Sequence, residues 1–137
     1  MSPRLMHAAD GTEVRTQTLP REAESAAIGR RIVHRALEDW ALEDLTYAAE
    51  LVVTELIANA VQHARFACLR VTVRHLEPRL VRVAVTDRSH AEPVLRPHMA
   101  YAEEGRGLAL VDALTVGWGH DPLPWGKRVW ADVGEAT

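Results

Sequence analysis

Along residues 45–64, apolar side chains return at helical spacing, at Leu45, Ala48, Ala49, Val52, Leu56 and Ala60, in a run without Gly or Pro. That pattern predicts a helix packed on a core. A second helix is predicted over residues 21–40, where Ile28, Ile32, Val33, Ala36, Leu37 and Trp40 share one face while Arg30, Arg31, Arg35 and Glu38 mostly turn elsewhere. Between them, Glu43 and Asp44 are read as acids at the start of the 45–64 helix, where the dipole favours negative charge. The period is two elsewhere. Over residues 13–19, Val14, Thr16 and Thr18 alternate with Arg15 and Gln17 up to Pro20, as in a half-exposed or edge strand.

Further on, Leu69, Val71 and Val73, then Val81, Val83 and Val85 after a Glu77-Pro78-Arg79 turn, alternate with polar residues and predict an antiparallel hairpin. The same alternation puts Asp87 on the face turned towards the helices, where a carboxylate is costly without a partner. Residues 88–104 lose all period around Pro93 and Pro97; long irregular connections are more often functional than accidental. A short helix follows Gly107 through Leu108, Ala109, Val111, Ala113 and Leu114. A closing hairpin is expected from residues 116–119 and 128–133 around residues 121–125, with Val129, Ala131 and Val133 inward. The order of elements predicts an α+β fold: a two-layer α/β sandwich with helices on one face of a mixed, mostly antiparallel sheet.

At 137 residues the chain fits a single domain, taken as 13–137 behind a flexible polar start at 1–12. Its formal charge of −3 carries no nucleic-acid footprint, and no apolar run suits a signal peptide or a membrane span. Cys68 is the sole cysteine. Read as part of a buried strand, it fits a reduced, cytoplasmic setting. The seven His residues are scattered without a metal-ligand pair, Ser, His and Asp show no nucleophile-elbow spacing, and Trp118, Trp125 and Trp130 read as hairpin packing.

Glu55 and Asn59 project from nearly the same side of the 45–64 helix, one turn apart, at the margin of its apolar stripe. Alone they are an ordinary i,i+4 polar pair. Together with Asp87 at a strand end and a Gly105-Arg106-Gly107-Leu108 turn opening a helix, they resemble the ATP-binding (Bergerat-type) domain shared by gyrase, Hsp90, histidine kinases and MutL. The small single-domain branch, the bacterial anti-sigma-factor serine kinases, is the nearest in pattern.

The resemblance implies that Asn59 ligates a Mg²⁺ ion bridging the phosphates of ATP, that Glu55 is the general base, and that Asp87 accepts the adenine amino group. Asp87-Arg88-Ser89 stands where the family usually has Asp-x-Gly, and Ser89 is expected to contact the base. Gly105, Arg106, Gly107 and Leu108 would form the phosphate-side turn, with Arg106 reaching the γ-phosphate, a partner or solvent. The irregular segment at about 88–106 would be the ATP lid. His63 is either a buried structural group or a catalytic one. Gly126-Lys127 occupies the place of a third motif, with Arg128 where a hydroxyl residue often stands, and both basic residues read as exposed edge positions.

The resemblance further implies a serine kinase that sequesters a sigma factor, phosphorylates a serine of an anti-anti-sigma (STAS-type) partner, and forms a homodimer. A nucleotide-binding regulatory module without phosphoryl transfer is the alternative. Neither nucleic acid nor membrane is expected as a partner.

Overall fold

The computed structural model describes residues 4–7, 13–63, 67–87 and 103–136. The alternating Val-rich stretches form the centre of a sheet built from β1 (Arg4–His7), β2 (Glu13–Pro20), β3 (Cys68–Glu77), β4 (Leu80–Asp87), β5 (Gly117–Leu123) and β6 (Gly126–Gly134). The strand order is β1-β2-β3-β4-β6-β5, and every described pairing is antiparallel rather than mixed. Three helices, α1 (Ser25–Asp39), α2 (Thr46–His63) and α3 (Glu103–Leu114), complete the described elements apart from one 3-10 turn at Glu43–Leu45.

Register explains the core. Val71 stands opposite Val85 and Val85 opposite Val129; in the next inward row Val73, Val83 and Ala131 line up. These six side chains are buried together with Ile32, Val33 and Leu37 of α1 and Val52, Val53, Leu56 and Ile57 of α2. β-branched residues suit such central strands. α1 lies on β2 and β3, α2 on β4 and β6, and α3 packs against α2 and β5. The other face of the sheet carries polar rows: Arg82 Nε and Nη2 donate to Asp132 Oδ1 and Oδ2 at 2.7 and 3.0 Å, and the guanidinium lies 4.2 Å from the ring centroid of Trp130.

Several expectations are corrected. β2 is half-exposed as expected but is an interior strand rather than an edge, because Arg4–His7, in the stretch expected to be flexible, pairs along it. Glu43 and Asp44 form the 3-10 turn ahead of α2 instead of its first turn, and Asp44 takes a bidentate bond from Arg79. That guanidinium holds the Asp44 carboxyl below the usual carboxylate range. The closing hairpin is tighter than predicted, with β5 running to Leu123 and β6 starting at Gly126. Cys68 is exposed, because Leu69 takes the inward position beside it.

α1 and α2 approach closely at Gly29, where a Cβ would overlap Ile57 Cδ1 and stand 3.4 Å from Val53 Cγ2. Gly29→Val is therefore expected to cost about 1–3 kcal/mol by overpacking. A denaturant midpoint equal to that of the native chain would show that the two helices separate freely.

Candidate functional site

α2 carries the first two candidate residues because its apolar stripe pins it against α1 on one side and the sheet on the other. Asn59 sits at the edge of that buried stripe, only 6% exposed. Its Oδ1 is buried and meets no hydrogen-bond donor among the described residues. An orphaned buried acceptor costs about 1–3 kcal/mol, so a protein that retains one has a use for it. One turn earlier, Glu55 is half-buried and receives no hydrogen bond or ion pair among the described residues. Burial pushes its carboxyl pKa up.

Asp87 is the last residue of β4, and the alternation that turns Val81, Val83 and Val85 inward turns it inward too. Across the β4–β6 ladder it stands opposite Lys127. Lys127 Nζ lies 3.7 Å from Asp87 Oδ2, and both residues are nearly inaccessible, at 3% and 2% exposure. Burial of Lys127 overturns its reading as an exposed edge residue. Arg128 points to the opposite face, where its Nη2 donates to Asp121 Oδ2 at 2.8 Å. The residue that faces Asp87 in the third motif is thus Lys127, not Arg128. The signal was available: stepping back two positions from inward Val129 reaches Lys127.

Arg21 shows that the α2 and β4 contributions belong to one end of the sandwich. Its side chain donates to the Val61 carbonyl at 3.2 Å, two residues past Asn59, and its backbone N–H donates to the Ala67 carbonyl at 2.7 Å. Ala67 leads into Cys68 and Leu69 of β3, whose Arg70 pairs with Thr86 of β4, the residue before Asp87. Asn59 and the Asp87–Lys127 pair therefore lie towards the same end, with Glu55 one turn earlier on α2.

The glycine segment differs from expectation. Gly105, Arg106, Gly107 and Leu108 lie inside α3, which begins at Glu103 instead of after the glycines. Two glutamates at the N-terminus suit the helix dipole, and they set the boundary ahead of the glycines. From its last residue, Leu114, the chain soon reaches Gly117, opposite Asp132; the first turn of α3 is about 12–16 Å of helix away from Leu114. Ser89 and the lid expectation over 88–102 lie outside the described residues, as do the side chains of His63 and residues 103–108.

A cavity of about 440 Å³ opens at the strand ends beside Asp87, between Thr18, Cys68, Arg70, Thr86 and Trp125. Glu55, Asn59 and Lys127 do not line it. It marks where the sheet is open at Asp87.

Chemically, the described site offers a neutral oxygen ligand, a carboxylate of raised basicity and a buried carboxylate–ammonium pair. Residues 19–116 match a family model described as a histidine kinase-like ATPase domain. No curated protein matches the chain.

Proposed function

Because the chain belongs to the histidine kinase-like ATPase family, which residues 19–116 match, we propose that it binds ATP with Mg²⁺ at Asn59 and Asp87 and transfers the γ-phosphoryl group to a protein serine. The observation that carries this reading is the buried Asn59 Oδ1, which meets no donor among the described residues, at the end of the sandwich where Asp87 also lies. A carboxamide oxygen suits Mg²⁺, which prefers oxygen donors and retains water. When bound, Mg²⁺ neutralises phosphate charge during transfer.

Glu55 holds the proton-accepting role, and its half-buried setting makes it a better base than a solvated carboxylate. Asp87 accepts an N–H of the base. Gly105, Gly107, Leu108 and Arg106 serve the phosphates, and Ser89 the base. The family resemblance further supports a phosphoacceptor of the anti-anti-sigma (STAS) type, a sigma factor as the sequestered partner, and a homodimer as the working form. No helix among the described residues is long and apolar enough to cross a membrane, and a cytoplasmic setting belongs to this proposal.

Titrating ATP into the native chain with and without Mg²⁺, and into Asn59→Ala, tests the site. Binding that needs Mg²⁺ and weakens about 100-fold or more in the folded variant is expected, the loss of a charge-assisted contact and its metal together. Equal affinity in both proteins, or indifference to Mg²⁺, would remove Asn59 from the site. Labelled ATP offered with STAS-type partners then separates transfer from mere binding. Ser89 and Arg128, which depart from the family pattern, favour one alternative, a regulatory module that binds nucleotide and partner without transferring phosphate.

A further inference from the structure

Lys127 is the chain's one lysine, and it is buried on the helix side of β6 directly opposite Asp87. At 3.7 Å the contact with Asp87 Oδ2 is an ion pair and too long for a hydrogen bond. Lys127 Nζ makes no hydrogen bond to any described residue. An ammonium group has three protons to donate and no accepting capacity. Burying it with only a coulombic partner is unfavourable by comparison with a fully bonded state. Among the described residues no acceptor completes that state, and the edge of a bound base would supply one.

We infer that Lys127 reads the edge of the bound base alongside Asp87 and makes the site accept guanine as well as adenine. This rests on the nucleotide-site reading above. A lone carboxylate favours adenine, because it accepts from the 6-amino group, whereas the 6-oxo group of guanine would face it oxygen to oxygen. The Asp87–Lys127 pair presents an acceptor next to a donor. Adenine completes it with its 6-amino group on Asp87 and N1 as acceptor for Lys127. Guanine completes it in the opposite sense, with N1–H donating to Asp87 and the 6-oxo group accepting from Lys127. Both pairings give the buried ammonium an acceptor, and neither leaves an oxygen facing an oxygen.

A lysine that only neutralised Asp87 would leave base preference untouched, so the ratio of affinities is the informative quantity. Mg²⁺-ATP, Mg²⁺-GTP and Mg²⁺-ITP are titrated calorimetrically into the full native chain and into Lys127→Met. In the native chain, ATP and GTP affinities are expected within about tenfold of one another, and ITP, which keeps N1–H and the 6-oxo group, is expected to follow GTP. In Lys127→Met, GTP is expected to weaken at least about tenfold more than ATP.

Should that variant fail to fold, the three native-chain titrations decide the matter alone. A native preference for ATP over both GTP and ITP of more than about 100-fold overturns the inference and leaves the ATP site standing. So does an equal loss of ATP and GTP in a folded Lys127→Met. Binding of no nucleotide by the folded native chain overturns the ATP site and the inference with it.

Discussion

Asp87→Ala is expected to destabilise the protein by about 3–5 kcal/mol, the range found when one member of a buried ion pair is removed and the other is left behind. Asp87 and Lys127 are both almost wholly inaccessible, so neither water nor salt offsets the stranded ammonium as it would on a surface. The cost belongs to desolvated charge, not to lost packing, and this has a checkable consequence. Adding Lys127→Met to Asp87→Ala is expected to recover most of the loss, since replacing a whole buried pair by apolar groups is often neutral or better. Urea unfolding followed by tryptophan fluorescence measures both, with Trp118 and Trp130 as reporters on β5 and β6. A single variant within about 1 kcal/mol of the native chain, or a double variant no better than the single, would show that the pair carries no unscreened charge.

Glu55→Gln is expected to slow phosphoryl transfer by about 10²–10⁴-fold, the usual contribution of a positioned general base, while nucleotide affinity and fold are retained. The pH dependences of stability and activity run in opposite directions. Burial raises the folded-state pKa of Glu55 above its ordinary value. The folded chain therefore holds this proton more tightly than the unfolded chain. The resulting stabilisation is fully present below the ordinary carboxylate pKa and is lost as pH rises through the raised folded value. Wherever Glu55 is ionised the native chain carries a half-buried charge, and Gln removes that penalty. Because the group is still partly solvated, the gain amounts to no more than a few tenths of a kcal/mol, roughly the scale of surface charge effects. Transfer needs the ionised form, so its rate falls on acidification, at a pH above that of a solvated glutamate. A pH–rate profile with a phosphoacceptor protein reads this directly. Unimpaired transfer in Glu55→Gln would assign the base elsewhere.

The parts of the fold legible in the chain are those where one physical period dominates. Val71, Val73, Val81, Val83 and Val85 alternate without interruption, so the hairpin, its inward face and the inward turn of Asp87 could all be read. The 3.6-residue stripe of α2 likewise located Asn59 at the core margin. Sequence pattern and structure part where residue type and position conflict. Lysine as a type belongs outside, but parity with Val129 and Ala131 sends Lys127 inward, and the Asp87 partner makes that tolerable. Cys68 as a type belongs inside, but parity with Leu69 sends it outward.

Glycine as a type suggests a turn, yet Gly105 and Gly107 are carried inside a helix that two preceding glutamates begin. β1 showed no pattern because a four-residue strand takes its stability from the ladder it joins rather than from its own sequence. Family membership supports ATP binding, whereas the phosphoacceptor and the sequestered partner are recognised by surfaces, for which no periodicity exists to be read.

Asp87 and Lys127 face one another across the β4–β6 seam, although α3, β5 and the connections around them intervene in the chain. Closing such a loop costs entropy that grows only with the logarithm of its length, about 0.6 kcal/mol for each doubling. A longer connection between β4 and α3 thus adds little closure entropy, while the pair itself is pinned by ladder register. Sequence drift between β4 and α3 can therefore proceed without disturbing the two charges, whose juxtaposition is inherited from the β4–β6 ladder alone.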